Sequence, residues 1–223
     1  MIPTPDLTHL STRDYDLIYE PSEDTFLLLD ALESDAESLR FLKPLICLEI
    51  GSGSGCVSSF IAHILGPSVL YLCTDINPHA CRCSQGTGKQ NEVLLDCVNT
   101  TFASALSARL CHRVDVILFN PPYVPTMPEE AQNAQQVGSL SGAWAGGQDG
   151  MRVTNIFLDQ VENLLSDDGR FYLVALKQNN IPEVRQRMLQ RHRLISEIVM
   201  QRRAGREHLF VLRFTRETPI SDT

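Results

Sequence analysis

Residues 45–55 read LICLEIGSGSG. A strand-length apolar run, interrupted only by the acid Glu49, meets glycines at 51, 53 and 55. Near-continuous apolar character suits a strand covered on both faces. Glycines at a strand-to-helix passage let backbone amides approach a ligand, and the helix N-terminus adds unpaired N–H groups. A dinucleotide fingerprint needs GxGxxG for its pyrophosphate. The spacing here is GxGxG behind an acid, which suits a cationic ligand lacking a pyrophosphate. Taken alone, the stretch fits a tight structural turn equally well.

Six more strand-length runs follow: VLYLCT (69–74), EVLLDCV (92–98), DVILF (115–119), RFYLVAL (170–176), LISEIVM (194–200) and HLFVLRF (208–214). Helix-compatible segments separate the early ones, which implies crossovers and a doubly wound, Rossmann-like α/β fold with a seven-stranded, mostly parallel sheet. The last two runs are joined only by QRRAGRE (201–207), too short for a crossover helix, so they are expected to form a C-terminal antiparallel hairpin. The longest candidate loop, 124–150, is polar and glycine-rich and precedes a helix expected near 151–165. Loops of that length in compact domains are commonly functional.

A chain of 223 residues, 43% hydrophobic, can bury one full core. The expected organisation is a single domain: an N-terminal extension and helix over 1–43, a cofactor-binding sheet core over 44–216, and a tail over 217–223. The N-terminus lacks the charged start and apolar run of a secretory signal, and no window reaches the ~18 apolar residues of a membrane span. A cytoplasmic location is expected, with the nucleus as a second compartment. Seven cysteines (47, 56, 73, 81, 83, 97 and 111) include no CxxC pair, so neither a disulfide framework nor a metal site is expected. Residues 170–216 hold eleven Arg or Lys against three Asp or Glu, while the whole chain carries −8. An acidic body argues against a DNA partner. Arg185, Arg187, Arg191, Arg193, Arg202, Arg203 and Arg206 could touch an anionic partner, with solvated surface as the simpler reading.

Asp75 closes the second run, at a strand end where a carboxylate can accept two hydrogen bonds from a ribose diol. It could equally cap the helix beginning near Pro78. The fourth run ends in Asn120, Pro121, Pro122 and Tyr123, NPPY. Prolines lack an N–H, so this stiff turn offers acceptors without competing donors. A planar nitrogen nucleophile, whose lone pair is delocalised, needs that environment. Its hydrogens can be held by the Asn120 side-chain oxygen and the Pro121 carbonyl, and Tyr123 can stack on the planar group. A rigid strand exit is the competing structural explanation.

The acid-GxGxG loop, strand-end Asp75 and NPPY resemble class I S-adenosylmethionine-dependent methyltransferases that modify planar nitrogens. YEPSEDTFLLLDAL (19–32) and GAWAGGQDG (142–150) resemble, more closely, the HemK-like eukaryotic glutamine methyltransferases that act on the class 1 translation release factor. The resemblance spans roughly Tyr19 to Thr215. It implies the seven-stranded methyltransferase fold and S-adenosyl-L-methionine as cofactor, contacted or bordered by Thr25, Glu49, Gly51, Gly53, Asp75, Phe102 and Asn120. It also implies that Asn120, Pro121, Pro122 and Tyr123 hold the target glutamine, giving a protein N5-glutamine methyltransferase. Where the family carries an acid for the adenine amino group, this chain has Thr101, which accepts without charge assistance. The composition around Thr25 is also explained by capping, with Ser22, Glu23 and Asp24 opening a helix.

A Trm112-like zinc-binding activator subunit is implied as partner, forming a heterodimer. The third run would be a sheet edge with neither lysine nor proline to block pairing. Gly146, Gly147 and Gln148 repeat the tripeptide this family methylates; a glycine-rich loop tip explains them, with automethylation as the alternative. Lysine or adenine amines are alternative acceptors. From other classes, a nicotinamide oxidoreductase and a noncatalytic cofactor-binding scaffold are the competing readings.

Overall fold

The computed structural model describes residues 2–122 and 150–217. Seven strands form one sheet: β1 (Ile46–Ile50), β2 (Leu70–Asp75), β3 (Leu95–Asn99), β4 (Val114–Phe119), β5 (Leu165–Leu176), β6 (Leu194–Ala204) and β7 (Glu207–Arg216). Their order is β3-β2-β1-β4-β5-β7-β6. The first five pair in parallel, and β7 runs antiparallel between β5 and β6. The order reverses between β1 and β4, where a doubly wound sheet opens a crevice at the C-terminal strand ends.

The core is two apolar layers, one on each sheet face. On one face lie α1 (Glu23–Ser34), α2 (Ala36–Leu42) and α3 (Cys56–Leu65), with α4 (Pro78–Gln90) packed beside α3. On the other lie α5 (Arg152–Leu158), α6 (Ile181–His192) and the single turn Val161–Leu164. β4 shows why both are needed: Val116 and Leu118 enter the first layer, and Ile117 and Phe119 the second. Successive side chains alternate across a strand, so only a strand covered twice can be apolar throughout. α1 buries Leu27, Leu28, Leu29, Ala31 and Leu32, and its first turn carries Glu23 and Asp24 at the positive end of the helix dipole.

Four expected boundaries change, the first being β3, which begins at Leu95 instead of Glu92. β5 begins at Leu165 instead of Arg170, because Leu165 pairs with Val114 and the ladder resumes at Val116 and Arg170 beyond a bulge. The polar Ser166–Gly169 hid that extension. QRRAGRE is mostly strand: β6 runs through Ala204 and β7 starts at Glu207, leaving Gly205 at φ +58° and Arg206 to turn. Arg202 in that segment pairs with Asp30 and Glu23 of α1. The expected single helix over 151–165 divides into Arg152–Leu158 and Val161–Leu164.

The extension before α1 lies along α4. Asp6 accepts from Gln90 at 2.8 Å, His79 meets Asp14 at 2.9 Å, and Asn77 donates to the Leu17 carbonyl at 2.9 Å. These contacts bring Leu17, Ile18 and Tyr19 over the crevice.

Candidate active site

A cavity of about 480 Å3 opens at the C-terminal ends of β1, β2 and β4. Thr25, Glu49, Gly51, Gly53, Asp75, Thr101, Phe102, Asn120, Pro121 and Pro122 all line it. Tyr123 lies outside the described residues, as do the loop over 124–149 and its Gly146–Gln148 tripeptide.

The glycine loop is built for proximity. Gly51 and Gly53 have φ +71° and +52°, and among the described residues, their chain neighbours aside, no atom lies within 4 Å of where a Cβ would stand on either. Gly55 answers a different need: at φ +77°, a Cβ there would lie 2.6 Å from Ser84 Cα, so its hydrogen lets α3 and α4 meet. Asp75 anchors the loop, its Oδ2 accepting the Gly53 N–H at 3.0 Å and its Oδ1 the Asn77 N–H at 2.8 Å. The cap of α4 is Asn77, whose Oδ1 accepts the His79 N–H at 2.9 Å, so Asp75 does not double as that cap. Burial raises the Asp75 pKa above its ordinary value, against the opposing pull of backbone hydrogen bonds from Asn77, Gly53 and Ile76.

Glu49 is 4% exposed, and its Oε2 accepts the Ser58 N–H at 3.0 Å and the Ser58 hydroxyl. Burial pushes its carboxyl up to about 8, with the Ser58 hydrogen bonds opposing and Asp75 adding to the rise. An acid held this close to neutral is poised to ionise when a cation arrives.

Phe102 takes the left-handed backbone at φ +49° and packs against Phe119 and Phe157, with centroids at 6.3 and 5.5 Å. Ile76, Val153 and Ile156 add apolar wall. Thr101 is exposed at the mouth. Thr25 serves the cap as well as the cavity, its Oγ1 accepting the Ser22 N–H at 3.4 Å.

At the end of β4, Asn120 Nδ2 donates to Asp24 Oδ2 at 2.9 Å. Its Oδ1 is buried and has no hydrogen-bond partner among the described residues. An acceptor therefore stands beside two prolines in a cavity that Asp24, Glu49 and Asp75 also line. Such a cavity can hold a cation and orient a nitrogen that carries hydrogens. Sequence reasoning treated Asp24 only as a helix-opening acid. The contact joins residues 96 apart, and no local pattern signals it. The Val153 and Ile156 walls were likewise illegible: a helix was expected there, but nothing local sets which of its faces meets the crevice.

The methyltransferase small domain family model matches residues 23–137. The chain is 46% identical to the human protein named methyltransferase HEMK2 over 215 residues, covering 96% of each chain. It is 40% identical to the eRF1 methyltransferase catalytic subunit mtq2 of Schizosaccharomyces pombe over 226 residues, 97% of this chain and 96% of that one. Among solved structures, the E. cuniculi Mtq2–Trm112 complex, described as responsible for methylation of the eRF1 translation termination factor, aligns with TM-score 0.66 at 24% identity. That alignment covers 90% of this chain and 99% of the other, a likeness of fold.

Proposed function

The chain belongs to the HEMK2 and Mtq2 family of methyltransferases, built on the methyltransferase small domain, and from that premise we propose that it methylates the side-chain amide nitrogen of a glutamine, the GGQ glutamine of the class 1 release factor, using S-adenosylmethionine. The observation that carries this reading is the buried Asn120 Oδ1, an acceptor without a protein partner among the described residues, at the end of the strand beside the glycine loop.

The cavity's donor set fits the cofactor. Gly51 and Gly53 leave room where a side chain would intrude, and Asp75 keeps lone pairs for a diol beyond its two amide bonds. Glu49 offers a carboxylate to positive charge, and Ile76 and Phe102 supply apolar surface for a flat ring. Thr101 at the mouth accepts without charge. When bound, the cofactor supplies an electrophilic methyl on a sulfonium. Asn120 Oδ1 and the Pro121 carbonyl hold the two amide hydrogens of the target, orienting its nitrogen and helping the lone pair localise. No side-chain base is required, because the nitrogen becomes strongly acidic once alkylated.

We further infer a Trm112-like partner at the β3 edge. β3 is the terminal strand of the sheet, its residues LDCVN include neither lysine nor proline, and the adjoining Leu94 is 88% exposed.

The test is methyl transfer from labelled S-adenosylmethionine to the release factor, with and without that partner, comparing GGQ with its Gln-to-Ala form. Label confined to the intact GGQ substrate is expected. Equal labelling of the Gln-to-Ala form, or none while cofactor still binds, would move the acceptor elsewhere, with lysine peptides next.

A further inference from the structure

Asp24 belongs to the first turn of α1, yet its chemistry is directed at the end of β4. Its side chain is buried, with the residue 3% exposed. Oδ1 accepts the Tyr19 hydroxyl at 2.9 Å and the Thr25 N–H at 2.7 Å, and Oδ2 accepts Asn120 Nδ2 at 2.9 Å. A primary amide has one donating and one accepting end, whereas a carboxylate only accepts. The contact with Asp24 therefore decides which end of Asn120 remains for the cavity, and that end is Oδ1.

We infer that Asp24 is a positioning residue for methyl transfer: by fixing the Asn120 amide in one of its two orientations, it makes the cavity select an acceptor nitrogen that brings hydrogens. The inference rests on the function proposed above and deepens it, since the specificity for an N–H-bearing target then originates in a helix far along the chain from NPPY. The simpler role, an acid favouring a helix N-terminus, makes a different forecast. A first-turn acid acts on the helix through the dipole alone, and its amide replacement would leave chemistry alone.

The isosteric change Asp24→Asn separates the two. Tyr19 and the Thr25 N–H are both donors at the Oδ1 site, so the new amide turns its oxygen toward them and its NH2 toward Asn120. Asn120 must then turn its own oxygen back, presenting NH2 to the cavity, where donor faces donor. Adding Asn120→Asp repairs this: the new carboxylate accepts from the amide at position 24 and still offers an oxygen to the cavity. Asn120→Asp alone sets two carboxylates against each other.

The experiment measures kcat, KM for the acceptor and cofactor Kd on the full chain with its activator, for the wild type, both single variants and the swapped pair Asp24→Asn/Asn120→Asp. Expected are a kcat at least about tenfold lower for Asp24→Asn, short of the roughly hundredfold or more of losing an oriented polar group outright, with cofactor Kd little changed, and a swapped pair faster than either single variant. Wild-type kcat in Asp24→Asn, or a swapped pair no faster than the faster single, overturns the inference. Should Asp24→Asn not bind cofactor, the comparison of Asn120→Asp with the swapped pair still decides, and no gain on adding the second change overturns it. If the wild type labels no glutamine, the proposed function fails separately. The Asn120 side-chain amide resonance then reads its hydrogen bond directly: a shift between wild type and Asp24→Asn is expected, and an unchanged resonance overturns the positioning role.

Discussion

The Gly53 N–H donates to Asp75 Oδ2 at 3.0 Å, so the loop after β1 and the acid at the end of β2 form one assembled unit. Asp75 is therefore asked to hold the loop and to face the cavity at once. Asp75→Ala should weaken cofactor binding by roughly tenfold or more, as expected for losing charge-assisted hydrogen bonds of about 1.5–3 kcal/mol. Isothermal titration checks it; an unchanged Kd would remove Asp75 from the site.

Two glycines in the same loop should fail differently. Gly55→Ala drives a methyl to 2.6 Å from Ser84 Cα at a left-handed φ, and should cost about 1–3 kcal/mol of stability. Gly51→Ala meets no atom of the described residues within 4 Å beyond its chain neighbours. Its stability loss should be limited to about 1 kcal/mol of backbone strain, while cofactor affinity falls steeply because the methyl enters the cavity. Denaturant melts paired with binding titrations distinguish the two, and identical profiles would contradict the packing described.

Glu49 gives a pH signature. Burial raises its folded pKa from 4.5 to about 8, so between those values the fold holds a proton that the unfolded chain has released. Its contribution to stability is fully present below about 4.5 and declines as pH rises toward about 8. A cationic ligand favours the carboxylate and expels that proton, so affinity should rise with pH up to about 8 and then level. Binding measured between pH 6 and 9 should show this slope in the wild type and lose it in Glu49→Gln; equal slopes would assign the effect to another group.

Away from the cavity, Asp35 accepts the Tyr172 hydroxyl at 2.7 Å and Arg213 Nη1 at 2.6 Å, tying the α1–α2 junction to β5 and β7. Tyr172 is fully buried, so Asp35→Ala strands its hydroxyl and should cost about 2 kcal/mol. Urea denaturation should record that loss with cofactor affinity unchanged.

The strands around the crevice were legible because β1, β2 and β4 are buried on both faces and their apolar runs have no competing explanation. Glu49, Gly51, Gly53, Asp75 and Asn120 were legible as cavity residues because Glu49 interrupts such a run and the others end or follow one. Leu165 at the start of β5 was hidden by the polar bulge after it, and β6 was cut short because Arg202 is satisfied by Asp30 and Glu23, across the chain. Asp24 shows the limit most clearly. Its capping composition is local and visible, and its hydrogen bond to Asn120 is a property of the assembled fold alone.

The most direct measurement is single-turnover methyl transfer by Asn120→Ala beside the wild type, with cofactor Kd determined on the same preparations. The account predicts a rate lower by roughly a hundredfold, the scale of losing one preorganised polar group, with cofactor binding retained in part. Undiminished transfer would contradict the assignment of Asn120 as the group that holds the acceptor nitrogen.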